Sequence, residues 1–154
     1  MPEGQVRGPC RDSQVAECHI ENCLWETPLA LGENAIGETD FERVVASADV
    51  VQPDITKTCG ITDGLVVGRR VVAAGKKLCF HMFGGGVGLY ASAHLTAAID
   101  GAHWLEMDAN PNPLLSDMLA EPPRIEDGAL LLSQKPGIGI DLAPQALERW
   151  RVQV

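Results

Sequence analysis

Four short apolar runs in this sequence each stop at a titratable side chain. LALGE (29–33) ends in Glu33, DVVQPD (49–54) in Asp54 and KKLCFH (76–81) in His81, while HWLEMD (103–108) carries Glu106 near its end. The separations are 54 − 33 = 21, 81 − 54 = 27 and 106 − 81 = 25 residues. Runs this short and this apolar read as buried strands. The intervals between them carry helical spacing. TDFERVVASA (39–48) suits a helix with Thr39 as N-cap and Glu42 three residues on. ITDGLVVGRRVVAAG (61–75) stops at Gly75, and GGGVGLYASAHLTAAID (84–100) is a small-residue helix opened by a glycine turn. Strand–helix alternation with short connections predicts an α/β fold with parallel strands and right-handed crossovers, as a barrel or a doubly wound sheet.

In such a fold the C-terminal ends of the strands share one face, where active sites form. The four groups are therefore expected to converge. Taken singly, Glu33 reads as a helix N-terminal charge, Asp54 as a turn residue after Pro53, and His81 as a strand-end histidine. Glu106 reads as a surface ion-pair partner, and Asp108 nearby is its rival for a place in the site. The shared spacing favours a site. The set suits removal of a proton next to a carboxylate, a weakly acidic proton whose enolate needs a metal and hydrogen-bond donors. Glu33 is expected as a ligand to Mg²⁺, which prefers oxygen. His81 is expected as general base or acid, Asp54 as the group that orients it and favours its charged form, and Glu106 as a protonated donor to the developing oxyanion.

The remainder of the chain divides around this core. Residues 1–22 are polar and aperiodic and read as an irregular segment, 23–110 as the βα units, and 111–154 as a Pro- and Gly-rich C-terminal extension. That extension is expected to hold an extended pair near 129–141 and a helix from Pro144. Cysteines 10, 18 and 23 with His19 match no common zinc spacing and read as free thiols. His94 and His103 read as structural, and Trp25, Trp104 and Trp150 as packing residues. Glycines 84, 85, 86 and 88 lack a phosphate-loop lysine and read as a tight turn or as room for a substrate.

Charge narrows the partners. A formal net charge of −9 with 5% aromatic residues argues against nucleic acid and anionic membranes. Five cysteines, an odd count, with no secretory apolar stretch at the N-terminus favour a cytoplasmic protein with reduced thiols.

GENAIG, VVQPDITKTCGIT, FHMFGGGVGL and HWLEMDANPNPL together resemble the barrel domain of the enolase superfamily, in its mandelate racemase/muconate lactonizing branch, and PGIGIDL resembles that family's C-terminal end. An Asp followed one βα unit later by His is the mark of the mandelate racemase subgroup. The resemblance implies a (β/α)₈ TIM barrel, of which this chain carries about the last four units. It implies Glu33 as a metal-ligand carboxylate, Asp54 and His81 as a catalytic dyad, and Glu106 as the carboxyl that hydrogen-bonds the substrate carboxylate. It implies Mg²⁺ as cofactor and a small carboxylate as substrate, an acid sugar to be dehydrated or a 2-hydroxy acid to be racemised. LWETP (24–28) resembles the family's Glu-Glu-Pro strand end, which makes Glu26 a second metal ligand. The next strand follows at once, with no room for the intervening helix. Lys57 falls at an often basic position of the family, and Cys59 stands where a glycine is usual.

A complete barrel needs about 250 residues. The first strands, their acid/base group and the first metal-ligand carboxylate have no match. The competing expectation is an inactive half-barrel with two open edges, which would associate with a second copy or with a missing half.

Overall fold

The computed structural model of the chain describes residues 28–152. The segment 1–22, the cysteines at 10, 18 and 23, His19, Trp25 and the candidate ligand Glu26 lie outside the described residues.

Four parallel strands form one sheet in chain order: β1 Ala30–Leu31, β2 Val50–Val51, β3 Lys77–Phe80 and β4 Trp104–Leu105. The register sets Ala30 opposite Val50, Val51 opposite Leu78 and Phe80 opposite Leu105. Helices α1 Gly37–Ser47, α2 Gly60–Ala73 and α3 Gly86–Ala98 fill the three intervals. A doubly wound sheet reverses its strand order at a switch point; this one does not, so it is an arc of a (β/α) barrel. The ladder runs past the strand ends through single bonds. Gln52 N–H donates to Leu31 C=O (2.7 Å), His81 N–H to Pro53 C=O (3.1 Å) and Glu106 N–H to Phe80 C=O (3.3 Å). These bonds hold the residues that follow each strand in line with it.

The core lies between strands and helices. Leu31, Val51, Leu78 and Phe80 pack with Phe41 and Val44 of α1, Val71 of α2, Ala91 and Leu95 of α3, and Ile99 just after it. Burying each large apolar side chain contributes roughly 1.5–3 kcal/mol. Gly68 lets α2 approach closely: a Cβ there would meet Ile99 Cδ1 at 2.5 Å and Leu78 Cδ2 at 3.0 Å.

Three expectations are corrected. Thr39 does not cap α1, which starts two residues earlier: Gly37 turns the chain into the helix at a φ of 76°, and the Asp40 carboxylate accepts the Ile36 N–H at 3.3 Å. The extended pair is not 129–141 but a hairpin, β5 Ile125–Glu126 with β6 Ala129–Leu130. Asp127 and Gly128 turn it, both at positive φ as a type I′ turn requires. Trp104 is not a packing residue: it is 54% exposed on β4, with Lys77 Nζ 5.5 Å from its ring centroid.

Gly75 ends its helix as expected, with a φ of 72°. A π-helical turn over Ile55–Cys59 leads into α2. The C-terminal part adds α4 Pro113–Ser116 and α5 Pro144–Arg149. No helix among the described residues is long and apolar enough to cross a membrane.

Candidate active site

Each candidate group sits just beyond the C-terminal end of its strand. Glu33 follows β1, Asp54 follows β2, His81 follows β3 and Glu106 follows β4. The sheet brings them together around the imidazole. His81 Nδ1 lies 2.9 Å from Asp54 Oδ2, and His81 Nε2 lies 2.7 Å from Glu33 Oε2 and 4.0 Å from Glu106 Oε2.

Burial grades across the set. Asp54 is 1% exposed and the His81 side chain 11%, while Glu33 and Glu106 are 41% and 39% exposed. The dyad thus forms the floor and the two glutamates the rim. Burial pushes the Asp54 carboxyl up, but the Thr56 hydroxyl, the His81 ring and the Thr56 N–H outweigh it and hold the group below its ordinary value. Both Thr56 donors reach Asp54 Oδ1, at 2.6 and 2.8 Å, which leaves Oδ2 to His81. An ionised carboxylate only accepts hydrogen bonds. Each short contact to a ring nitrogen therefore needs one proton between nitrogen and carboxylate oxygen.

Lys57 Nζ stands 3.7 Å from Glu33 Oε2 and 3.6 Å from Asp54 Oδ2, a cation between two carboxylates. Asp108 is not part of the cluster. Its carboxylate accepts from Asn110 N–H (2.9 Å), Asn110 Nδ2 (2.8 Å) and Asn112 Nδ2 (3.4 Å), so it builds the turn after β4. His94 Nε2 meets Ile138 C=O at 3.2 Å and His103 Nδ1 meets Gly101 C=O at 3.1 Å.

The glycine turn is a packing device. A Cβ on Gly86 would lie 2.6 Å from Leu119 Cδ1, and one on Gly88 would lie 2.8 Å from Thr56 Cγ2. One residue escaped the sequence reading. Gln52 reaches from the end of β2 past β3, its Nε2 4.0 Å from Cys79 Sγ and 3.4 Å from Glu106 Oε2. The available signal was a polar residue inside an apolar strand run, two positions before Asp54 and so on the same face.

Two cavities among the described residues lie away from this mouth. One of about 800 Å³ separates α1 from α2, and one of about 310 Å³ lies between Tyr90 and the C-terminal loops. None of the four clustered residues lines either. Among the described residues four strands supply only part of a barrel wall, so the mouth they frame is open on one side.

The sequence pattern of the enolase C-terminal domain-like family matches residues 9–146. The chain belongs to this family. Within the enolase superfamily it is the C-terminal part of the barrel domain in the mandelate racemase/muconate lactonizing branch. Arabinonate dehydratase of Saccharolobus solfataricus is 28% identical over 128 residues, covering 82% of this chain and 34% of the relative. The L-talarate/galactarate dehydratase of Salmonella typhimurium is 31% identical over 127 residues, covering 81% and 29%. A crystal structure of a mandelate racemase/muconate lactonizing enzyme-like protein from Rubrobacter xylanophilus superposes with a TM-score of 0.78 at 27% identity, covering 96% of this chain and 38% of that one. The chain spans about a third of the length of the curated relatives it matches.

Mg²⁺ asks for near-octahedral oxygen ligands from one or two carboxylates, substrate and water. Among the described residues of this enolase-type domain, no group of three or more His, Cys, Asp or Glu side chains is arranged to hold a metal ion. Glu33 offers one carboxylate, already engaged by His81 and Lys57. Among the described residues Glu33 is the candidate that could offer such an ion a carboxylate oxygen.

Proposed function

We propose that this domain supplies one acid/base face of an acid-sugar dehydratase of the mandelate racemase type. One observation carries this reading: His81 lies between a buried carboxylate at one ring nitrogen and two exposed carboxylates near the other. An imidazole so held has a fixed orientation, and its outer nitrogen Nε2 faces the open mouth. The names of the relatives support the substrate class, since acid-sugar dehydratases recur among them.

In the proposed step the neutral ring accepts the proton alpha to a substrate carboxylate at Nε2. Asp54 stabilises the imidazolium that forms. The electron pair of the broken C–H bond moves onto the carboxylate and gives an enediolate. His81 then returns its proton to the neighbouring hydroxyl, which leaves as water, and the enol tautomerises to a 2-oxo acid. Glu33 must leave Nε2 before the ring can take a proton. Glu106, in its protonated form, is proposed to donate a hydrogen bond to the substrate carboxylate. Racemisation of a 2-hydroxy acid is the variant in which a second group returns the proton on the opposite side.

Glu33 is proposed as one oxygen ligand of a magnesium ion whose other ligands come from outside the described residues, Glu26 among them. Such an ion would supply charge stabilisation for the enediolate. The test is deuterium uptake at the alpha carbon of a panel of acid sugars in D₂O with Mg²⁺, followed by proton NMR. Uptake that falls by about 10²-fold or more in His81→Asn supports the reading. Uptake unchanged in that variant removes His81 from its role.

A second reading draws on the sheet. Among the described residues β1 pairs only with β2 and β4 only with β3, so each has an unpaired outer edge. Phe83, Trp104 and Met107 are exposed near the β3 and β4 ends. Such a surface fits a homo-oligomer or association with a complementary half-barrel. Sedimentation equilibrium separates the outcomes: a monomer at all concentrations rules out self-association.

A further inference from the structure

Glu106 follows the outer strand β4, is 39% exposed, and lies 4.0 Å from a histidine nitrogen that it could pair with directly. At 4.0 Å it is beyond hydrogen-bond reach of His81. Two donors account for its position. Met82 N–H and Gln52 Nε2 both approach Glu106 Oε2, each at 3.4 Å. The Met82 donor is backbone and comes with the fold. The Gln52 donor is a side-chain choice, delivered from two strands away.

Gln52 is well placed to hold a neighbour. Its backbone N–H is tied to Leu31 C=O at 2.7 Å, and the residue is half-buried between Val51 and Pro53. The groups its amide faces are a carboxylate oxygen and the buried Cys79 thiol. A carboxylate oxygen demands a donor, so the NH₂ end faces Glu106. Both donors converge on Oε2, and neither engages Oε1. Without Gln52, the β2 donor that opposes collapse of the Glu106 carboxylate onto the His81 ring is lost. The ring would then carry a further carboxylate at the nitrogen that has to be free.

We propose that Gln52 is a positioning residue of the site. It holds Glu106 Oε2 away from His81 Nε2 and leaves Oε1 as the oxygen that, carrying a proton, donates to a substrate carboxylate. The clause about substrate rests on the proton-abstraction reading above; the clause about Glu106 and His81 does not.

The experiment keeps the two apart. In the isotopically labelled full chain, the side-chain NH₂ resonances of Gln52 are expected to shift on Glu106→Ala, because their acceptor is lost. The His81 ring resonances report the second half. Glu106→Gln is expected to move them little in the parent chain, but clearly in a Gln52→Leu background, where Glu106 has closed on the ring. A merely structural role for Gln52 would not make His81 sensitive to Glu106. If Gln52→Leu does not fold, Gln52→Met keeps the length without the donor and is read in the same way. Gln52 resonances indifferent to Glu106→Ala, or His81 resonances equally sensitive to Glu106→Gln in both backgrounds, overturn the proposal. In the deuterium-uptake assay Gln52→Leu is expected to lose about tenfold, the worth of one hydrogen bond. No uptake in the parent chain, with the resonance pattern as expected, leaves Gln52 in place and removes the catalytic reading alone.

Discussion

Thr56 binds Asp54 Oδ1 twice, by its backbone N–H at 2.8 Å and by its hydroxyl at 2.6 Å. The buried carboxylate is thereby kept ionised, with its other oxygen turned to His81. Asp54 has a lowered pKa in the folded chain. Its contribution to stability is therefore fully present above the ordinary aspartate value of 3.8 and is lost as the pH falls below it. Thr56→Val removes the hydroxyl donor and keeps the shape, so the Asp54 pKa should rise. Stability at pH 7 should drop by about 1–3 kcal/mol. The gap between variant and parent should narrow as the pH falls from about 5 to about 2. Urea denaturation across that range measures it; a gap independent of pH would contradict the assignment.

Gly86 opens α3 against Leu119. A methyl group there would lie 2.6 Å from Leu119 Cδ1 and 2.8 Å from Cγ, and Leu119 is buried. Gly86→Ala should cost about 1–3 kcal/mol despite the better helix propensity of alanine. Leu119→Ala should recover part of that loss by making room. A double-mutant cycle in denaturant shows whether the two changes couple.

Asn112 joins the loops that follow β3 and β4. Its Oδ1 accepts the Leu114 N–H at 3.0 Å and its Nδ2 donates to Gly84 C=O at 3.1 Å. Asn112→Ala should destabilise by about 1–2 kcal/mol, as the loss of a helix cap does. Faster amide hydrogen exchange should appear in residues 84–88 and 113–116. Exchange confined to one of the two segments would show that they are not joined through this side chain.

Cys79 is buried in β3, and burial pushes its thiol pKa up; Cys59 is shifted in the same direction by the same cause. Both should alkylate more slowly with iodoacetamide at pH 7.5 than free cysteine does, because the thiolate is the reactive form. Cys79 should be the slower of the two. Peptide mapping by mass spectrometry reads each site, and rapid labelling of Cys79 in the folded chain would contradict its placement.

Much of the sheet was legible because each apolar run that becomes a strand ends on a polar group, and that punctuation survives in one dimension. Asp54 and His81 announce themselves by residue type at the spacing of one βα unit. What escaped depends on geometry across elements. Gln52 looks like an interruption of a strand until a neighbour two strands away gives it a partner. Gly86 and Gly88 look like flexibility, yet what they avoid is contact with Leu119 and Thr56, residues distant in sequence. The start of α1 was misplaced because a capping-box pattern at Thr39 competed with Gly37, whose positive φ begins the helix sooner. The hairpin at Asp127–Gly128 carried a readable turn signal, but the surrounding proline and glycine residues obscured it.

The dyad and both rim carboxylates come from consecutive strands on one arc. A flat molecule resting at this opening would be met by the proposed proton-transferring groups from a single side. Any label exchanged from solvent by these residues alone would enter with one handedness, and scrambling at that carbon would need a contribution from across the ring.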